Sequence, residues 1–136
     1  MNRLFKILSA TLLTLTTASV LADKPITYIF TDNRTDLESN AFIEGMPSLH
    51  PTPANKTSKV GWSEVSMACH FHAPQDICTA TIKMGTNNRA TEVVIGTASI
   101  NMKTGEITYD DSCDKSLGKY TLKSIGLGKT LITQHP

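Results

Sequence analysis

The sequence predicts a small, mainly β protein, an antiparallel β-sandwich or barrel of about seven strands. Three observations favour this class. The chain is rich in threonine and β-branched residues, which suit strands better than helices. Short segments alternate between apolar and polar residues, the pattern of a half-buried strand. Glycine, proline and other turn formers separate these segments at close spacing.

Residues 1–22 predict a cleavable secretory signal peptide. Arg3 and Lys6 form a basic start, an uncharged apolar stretch follows, and a V-x-A site precedes Asp23. A membrane anchor is the alternative, but the stretch is short of the ~20 apolar residues of a bilayer span and contains many Thr and Ser residues. We therefore expect residues 23–136 to form a single globular β domain, exported to the periplasm or secreted by a bacterium.

The exported chain is almost neutral. The signal carries two of the 13 basic residues and none of the 12 acidic ones, which leaves a net charge of −1. This balance gives no electrostatic reason to bind nucleic acid or an anionic membrane. We expect no nucleic-acid partner, no membrane contact after signal cleavage and no cofactor.

The N-terminal part of the domain combines one strand, one short helix and a loop. Residues 24–31 form a β-type run. A Thr-Asp-Leu-Glu capping box at 35–38 predicts a short helix over 36–44, with a strand at 40–44 as the alternative. Three prolines and many turn formers predict a Pro-rich surface loop at 46–58.

The central segment predicts a hairpin of two strands, 65–71 and 78–84. Apolar residues alternate regularly in both strands, and a turn-rich stretch lies between them. Pairing Cys69 with Cys78 places every apolar residue and both sulfurs on one buried face. Because exported proteins meet oxidising conditions, we expect a Cys69–Cys78 disulfide, with Cys113 left as a free thiol or linked to another chain.

The C-terminal half alternates strands with short turns. Gly126–Thr130 ends like a phosphate-binding loop, but it lacks the earlier glycine and the following helix, so we interpret it as a hairpin turn. The predicted elements are a strand at 91–102, a turn at 103–105, a returning strand at 107–109, an acidic loop at 110–116 and a hairpin of 119–125 with 129–133.

His70 and His72 are weak candidates for metal ligands. On a strand they share one face, where His50, His135 or Cys69 could complete a zinc or copper site. The same alternation places them on the polar face, where exposed histidines are common. No full ligand set is visible in the sequence, so we predict no metal site.

Two functional hypotheses follow. Small size, β architecture and the lack of an assembled catalytic motif favour a non-enzymatic binding or interaction module of the cell envelope or exterior, with a protein as its partner. The alternative is a periplasmic metal-binding protein or an enzyme that uses His70 and His72.

We predict that the mature protein begins at Asp23. Mass spectrometry of protein recovered from an exporting host measures the N-terminus directly, since signal peptidase cleaves after the small residue of the V-x-A site. Intact Met1 in a membrane fraction would show that the segment is an anchor.

Overall fold

The structure, a computed structural model, describes residues 26–72 and 76–136, so the predicted signal peptide lies outside the described residues. It contains nine strands and one helix in this part of the chain. The elements are β1 (Tyr28–Arg34), β2 (Ser39–Ile43), β3 (Met46–Pro47), β4 (Lys56–Gly61), α1 (Trp62–His72), β5 (Ile77–Met84), β6 (Val93–Asn101), β7 (Ile107–Asp110), β8 (Tyr120–Gly126) and β9 (Lys129–Gln134).

The strands form two sheets that pack as a sandwich. The four-stranded sheet has the order β4-β1-β9-β8, and the five-stranded sheet has the order β3-β2-β5-β6-β7. Strands β1 and β9 pair in parallel, while the other named pairs are antiparallel. The predicted mainly β, antiparallel-rich sandwich is therefore confirmed, with nine strands rather than about seven.

The core lies between the sheets in two clusters. Alternation along each strand turns every second side chain inward, where apolar residues are removed from water. The first cluster contains Cys69, Cys78, Ala98, Ile100 and Ile107. The second contains Met84, Ile95, Tyr120 and Ile132.

A buried asparagine organises the corner where the chain crosses from β1 to β2. The Asn33 amide donates to the carbonyl oxygens of Leu37 (2.8 Å), Thr52 (3.2 Å) and Pro53 (3.2 Å). Its oxygen accepts from the Thr35 backbone N–H and hydroxyl. The side chain is fully buried and fully hydrogen-bonded, so it fixes the crossing and the loop that returns beside it.

The predicted strand over residues 65–71 is wrong, because this segment belongs to helix α1. Val65, Ala68 and Cys69 stand three and four residues apart, which places them on one helical face. Met67, which strand alternation would bury, is 62% exposed. The predicted hairpin register therefore fails, and β5 pairs instead with β2 and β6.

The two cysteines of that hairpin still meet. The Sγ atoms of Cys69 and Cys78 lie 2.06 Å apart, a disulfide geometry that joins α1 to the second residue of β5. The helix, and not strand pairing, brings them together. Cys113 is a free, partly exposed cysteine.

The predicted helix at 36–44 is also wrong, and strand β2 occupies the segment. The Thr35 hydroxyl, the expected helix cap, is hydrogen-bonded to Asn33 and Leu37 instead. Ser39 exchanges two backbone hydrogen bonds with Thr52 (2.9 and 2.8 Å), and β2 pairs with β5. These long-range pairings outweigh the local capping signal.

The Pro-rich loop at 46–58 is shorter than predicted, because it begins with strand β3 and ends inside β4. The C-terminal predictions agree with β6 to β9, and Gly105 adopts the left-handed conformation (φ +79°) expected in the 103–105 turn. Gly126–Thr130 spans the β8–β9 turn rather than a phosphate loop. None of the helices in the described ranges has the length and apolarity needed to cross a bilayer.

We predict that the double variant Cys69→Ala with Cys78→Ala unfolds more easily than the parent protein. Cys69 and Cys78 are nine positions apart, and closing a loop of this size stabilises a protein by about 2–3 kcal/mol. Urea unfolding of protein purified from the periplasm measures the loss. Cys113→Ala is the matched control, and an equal effect of both variants would contradict the disulfide assignment.

Candidate functional site

Small side chains occupy the centre of the inner face of the five-stranded sheet. Ala80 on β5 lies opposite Ala98 on β6, and Ala98 lies opposite Tyr109 on β7. In the next inward-facing row of the sheet, Ala41 on β2 lies opposite Ile82 on β5. A close-packed sandwich fills such positions with large aliphatic residues, so the alanines leave space between the sheets.

That space is a cavity of about 400 Å³. For comparison, an engineered apolar cavity of about 150 Å³ is enough to hold benzene. The side chains around it are mainly aliphatic. The five-stranded sheet contributes Ala80, Ala98, Ile100 and Ile107, the four-stranded sheet contributes Ile29, Val60 and Ile132, and α1 contributes Val65 and Ala68.

The polar groups around the cavity are paired with each other. The Tyr109 hydroxyl hydrogen-bonds the Thr130 hydroxyl, and this contact ties β7 of one sheet to β9 of the other. The Thr52 and Ser58 hydroxyls lie 2.5 Å apart. Among the described residues, no buried side-chain nitrogen or oxygen lacks a hydrogen-bond partner. The cavity therefore presents an apolar surface with few polar groups left to bind.

The exposed residues of the cavity lining lie in β3, in the loop after it and at the start of α1, so the cavity opens there. His50 Nε2 lies 2.7 Å from Glu64 Oε2 and joins that loop to the first turn of the helix. Beside this pair Leu49 is 88% exposed, and Met46 is also exposed. The entrance therefore combines a polar contact with an apolar rim.

The positions of His70 and His72 belong to helix α1 and not to a strand. The period-two alternation that predicted a shared face therefore does not apply to them. His50 contacts Glu64, and His135 contacts the hydroxyl of Thr121 at 2.6 Å. Within residues 26–72 and 76–136 no group of three or more His, Cys, Asp or Glu residues could hold a metal ion. The predicted strand that would have carried His70 and His72 is replaced by α1.

The sequence carries one signal for the cavity. Ala80 and Ala98 share the inward face of their strands with Ile82 and Ile100, which lie two residues further along. An alanine at such a position either packs under a large residue or leaves a gap. Only the cross-strand register shows that the two alanines meet.

Comparisons with known proteins identify the group to which the chain is similar. A family model described as T2SS substrate NttC, where T2SS is the type II secretion system, matches residues 1–135. The crystal structure of the Legionella pneumophila type II secretion system substrate NttC is 38% identical, with a TM-score of 0.70. The match covers 81% of this chain and 99% of that chain. No protein of curated function is significantly similar.

We predict that Tyr109 makes the stability of the protein sensitive to alkaline pH. Burial raises the pKa of the Tyr109 phenol above its ordinary 10.0, although the hydrogen bond with Thr130 acts in the opposite direction. The unfolded chain therefore releases this proton first. The contribution to stability is fully present below pH 10.0 and is lost as pH rises through the folded-state pKa.

Unfolding in urea at a series of alkaline pH values measures this effect. Tyr109→Phe removes the titrating group and should show a shallower decline than the parent protein. Tyr28→Phe, at an exposed tyrosine, is the control. Identical alkaline slopes for the parent and Tyr109→Phe would contradict the prediction.

Proposed function

The chain belongs to the NttC family of type II secretion system substrates, and we propose that this secreted protein is a non-enzymatic binding protein that takes a small apolar ligand into the cavity between its sheets. The observation that carries the proposal is the aliphatic lining of the inter-sheet cavity.

The size of the cavity supports a role in binding. Voids larger than a water molecule are few in a close-packed interior, whereas this space measures about 400 Å³. The space also opens at the exposed residues His50 and Glu64, which gives a ligand a way in.

The lining supports an apolar ligand. Pockets for small molecules commonly measure about 300–1,000 Å³ and are mainly apolar, with a few polar groups that orient the ligand. Here the exposed polar side chains of the lining are His50 and Glu64, whose contact at 2.7 Å lies where the cavity opens. An apolar body inside the sandwich with a polar group at the entrance fits this distribution.

The residues also support a non-enzymatic role. Tyr109 is the least exposed titratable side chain of the cavity lining, burial raises the pKa of its phenol, and its hydroxyl bonds Thr130. A general base needs a pKa near the working pH, which this group does not have. The alternative of a metal-dependent protein built on His70 and His72 loses its geometric basis in α1.

Export fits the same proposal. The pairing of Cys69 with Cys78 suits an oxidising compartment, and we propose that this bond forms after the signal peptide has delivered the chain to the periplasm. Secretion to the exterior then brings the finished domain to its ligand. Cys113 remains a free thiol in this scheme.

Fluorescence titration with N-phenyl-1-naphthylamine, an apolar probe that brightens when it leaves water, tests the cavity. We expect the parent protein to enhance the emission and Ala98→Leu to weaken probe binding at least tenfold, because the larger side chain fills the space beside Ala80. Ala80→Leu, across the same gap, provides a second blocking variant if Ala98→Leu fails to fold.

Ser99→Leu is the matched control, since this neighbour of Ala98 points to the outer face of the sheet and contacts Thr79. It adds a comparable side chain without entering the cavity. Circular dichroism confirms that each variant is folded. No enhancement by the parent protein, or equal binding by Ala98→Leu and the parent, would overturn the proposal.

A further inference from the structure

The outer face of the four-stranded sheet carries a net positive charge. Alternation turns four basic residues and one acidic residue of β1, β4, β8 and β9 to this side. The basic residues are Arg34, Lys59, Lys123 and Lys129, and the acidic residue is Asp32. Asp32 is already paired with Arg34 at 3.0 Å. The three lysines therefore give this face a net positive charge, although the protein as a whole is nearly neutral.

Two aromatic rings lie among these lysines. Phe30 lies between Lys59 of β4 and Lys129 of β9 in one row across three strands. The Lys59 Nζ lies 4.4 Å from the centre of the Tyr28 ring, and the Lys129 Nζ lies 5.6 Å from that of Phe30. The two rings are arranged edge to face, with their centroids 6.2 Å apart. The amphipathic lysine stems thus cover a patch of aromatic surface.

The end of β8 and the turn into β9 add aliphatic side chains at the end of this face. Ile125 and Leu127 are each 49% exposed. The backbone N–H of Phe30 donates to the carbonyl of Gly128 at 2.8 Å, which holds the turn beside the aromatic rings. Apolar residues at a loop tip with lysines behind them match the distribution of polarity across a membrane interface.

We propose that this basic face, made of Tyr28, Phe30, Lys59, Lys123 and Lys129 with the tip residues Ile125 and Leu127, docks the protein on an anionic lipid membrane. The lysines contact the lipid headgroups, and the tip enters the boundary between headgroups and acyl chains. The tip decides between a membrane and a soluble polyanion, because exposed aliphatic side chains gain nothing from a polysaccharide or nucleic-acid backbone.

A net charge of −1 on the exported chain does not exclude a basic face. Net charge averages over the whole surface, whereas attraction to a membrane depends on the charges within about one Debye length of it. The lysines of β4, β8 and β9 reach one face only through the register of the sheet. The basic face is also separate from the cavity, which lies on the opposite side of the same strands.

Cosedimentation with lipid vesicles tests the proposal on the mature protein. We expect binding to vesicles of phosphatidylcholine mixed with phosphatidylglycerol, weak binding to phosphatidylcholine alone, and a loss of binding as salt rises. The double variant Lys59→Gln with Lys129→Gln should weaken partitioning roughly 25-fold, since each lysine near an anionic surface contributes about fivefold. Leu127→Asp should also weaken it.

Matched controls lie at the other end of the sheet. Leu117 is 96% exposed and precedes β8, while Leu127 follows it, so the strand separates them by about 24 Å. Leu117→Asp and the nearby Lys115→Gln should bind vesicles like the parent protein. Equal binding to neutral and anionic vesicles would overturn the proposal, as would equal losses in the control variants. Binding to heparin that Leu127→Asp leaves unchanged, without vesicle binding, would identify a polyanion surface instead.

Discussion

The fold depends on how the two sheets are tied together at the Asn33 corner. Its amide is buried and hydrogen-bonded to three carbonyl groups on two separate loops. Leaving such a group unpaired costs about 1–3 kcal/mol, so the crossing from β1 to β2 has one favourable geometry. The hydrogen bond from Tyr109 to Thr130 makes a second tie between the sheets. Both ties therefore join the two sheets that form the walls of the cavity.

Helix α1 completes the wall of that cavity, and its position depends on chemistry outside the cytoplasm. An isolated helix of 11 residues is marginal in water. Contacts of Val65 and Cys69 with the core and the covalent link to Cys78 hold it against the sandwich. Because thiols stay reduced in the cytoplasm, the link becomes available on export. One wall of the cavity therefore depends on a covalent bond that an oxidising compartment allows to form.

The sequence identifies some elements of the fold better than others, for physical reasons. Strands β6 to β9 are predictable because alternation and glycine turns agree there. Over residues 65–71 the alternation is misleading. Val65 and Cys69 are four residues apart, and residues at this spacing share a face both in a strand and in a helix. The cysteine pairing survives this error since both structures place Cys69 inward. The cavity depends on which residues of β5, β6 and β7 lie opposite one another, and that register is a long-range property.

The two proposed surfaces belong to alternate residues of the same strands. In β1 and β9, Thr31 and Thr130 line the cavity, while Phe30 and Lys129 belong to the basic face. A shift of one residue in this parallel pairing would exchange the two sets and destroy both surfaces. The Tyr109 hydrogen bond to Thr130 opposes such a shift, because it holds β9 to the other sheet at one position. A contact that ties the sheets around the cavity thus also fixes which lysine stands beside Phe30 on the outside.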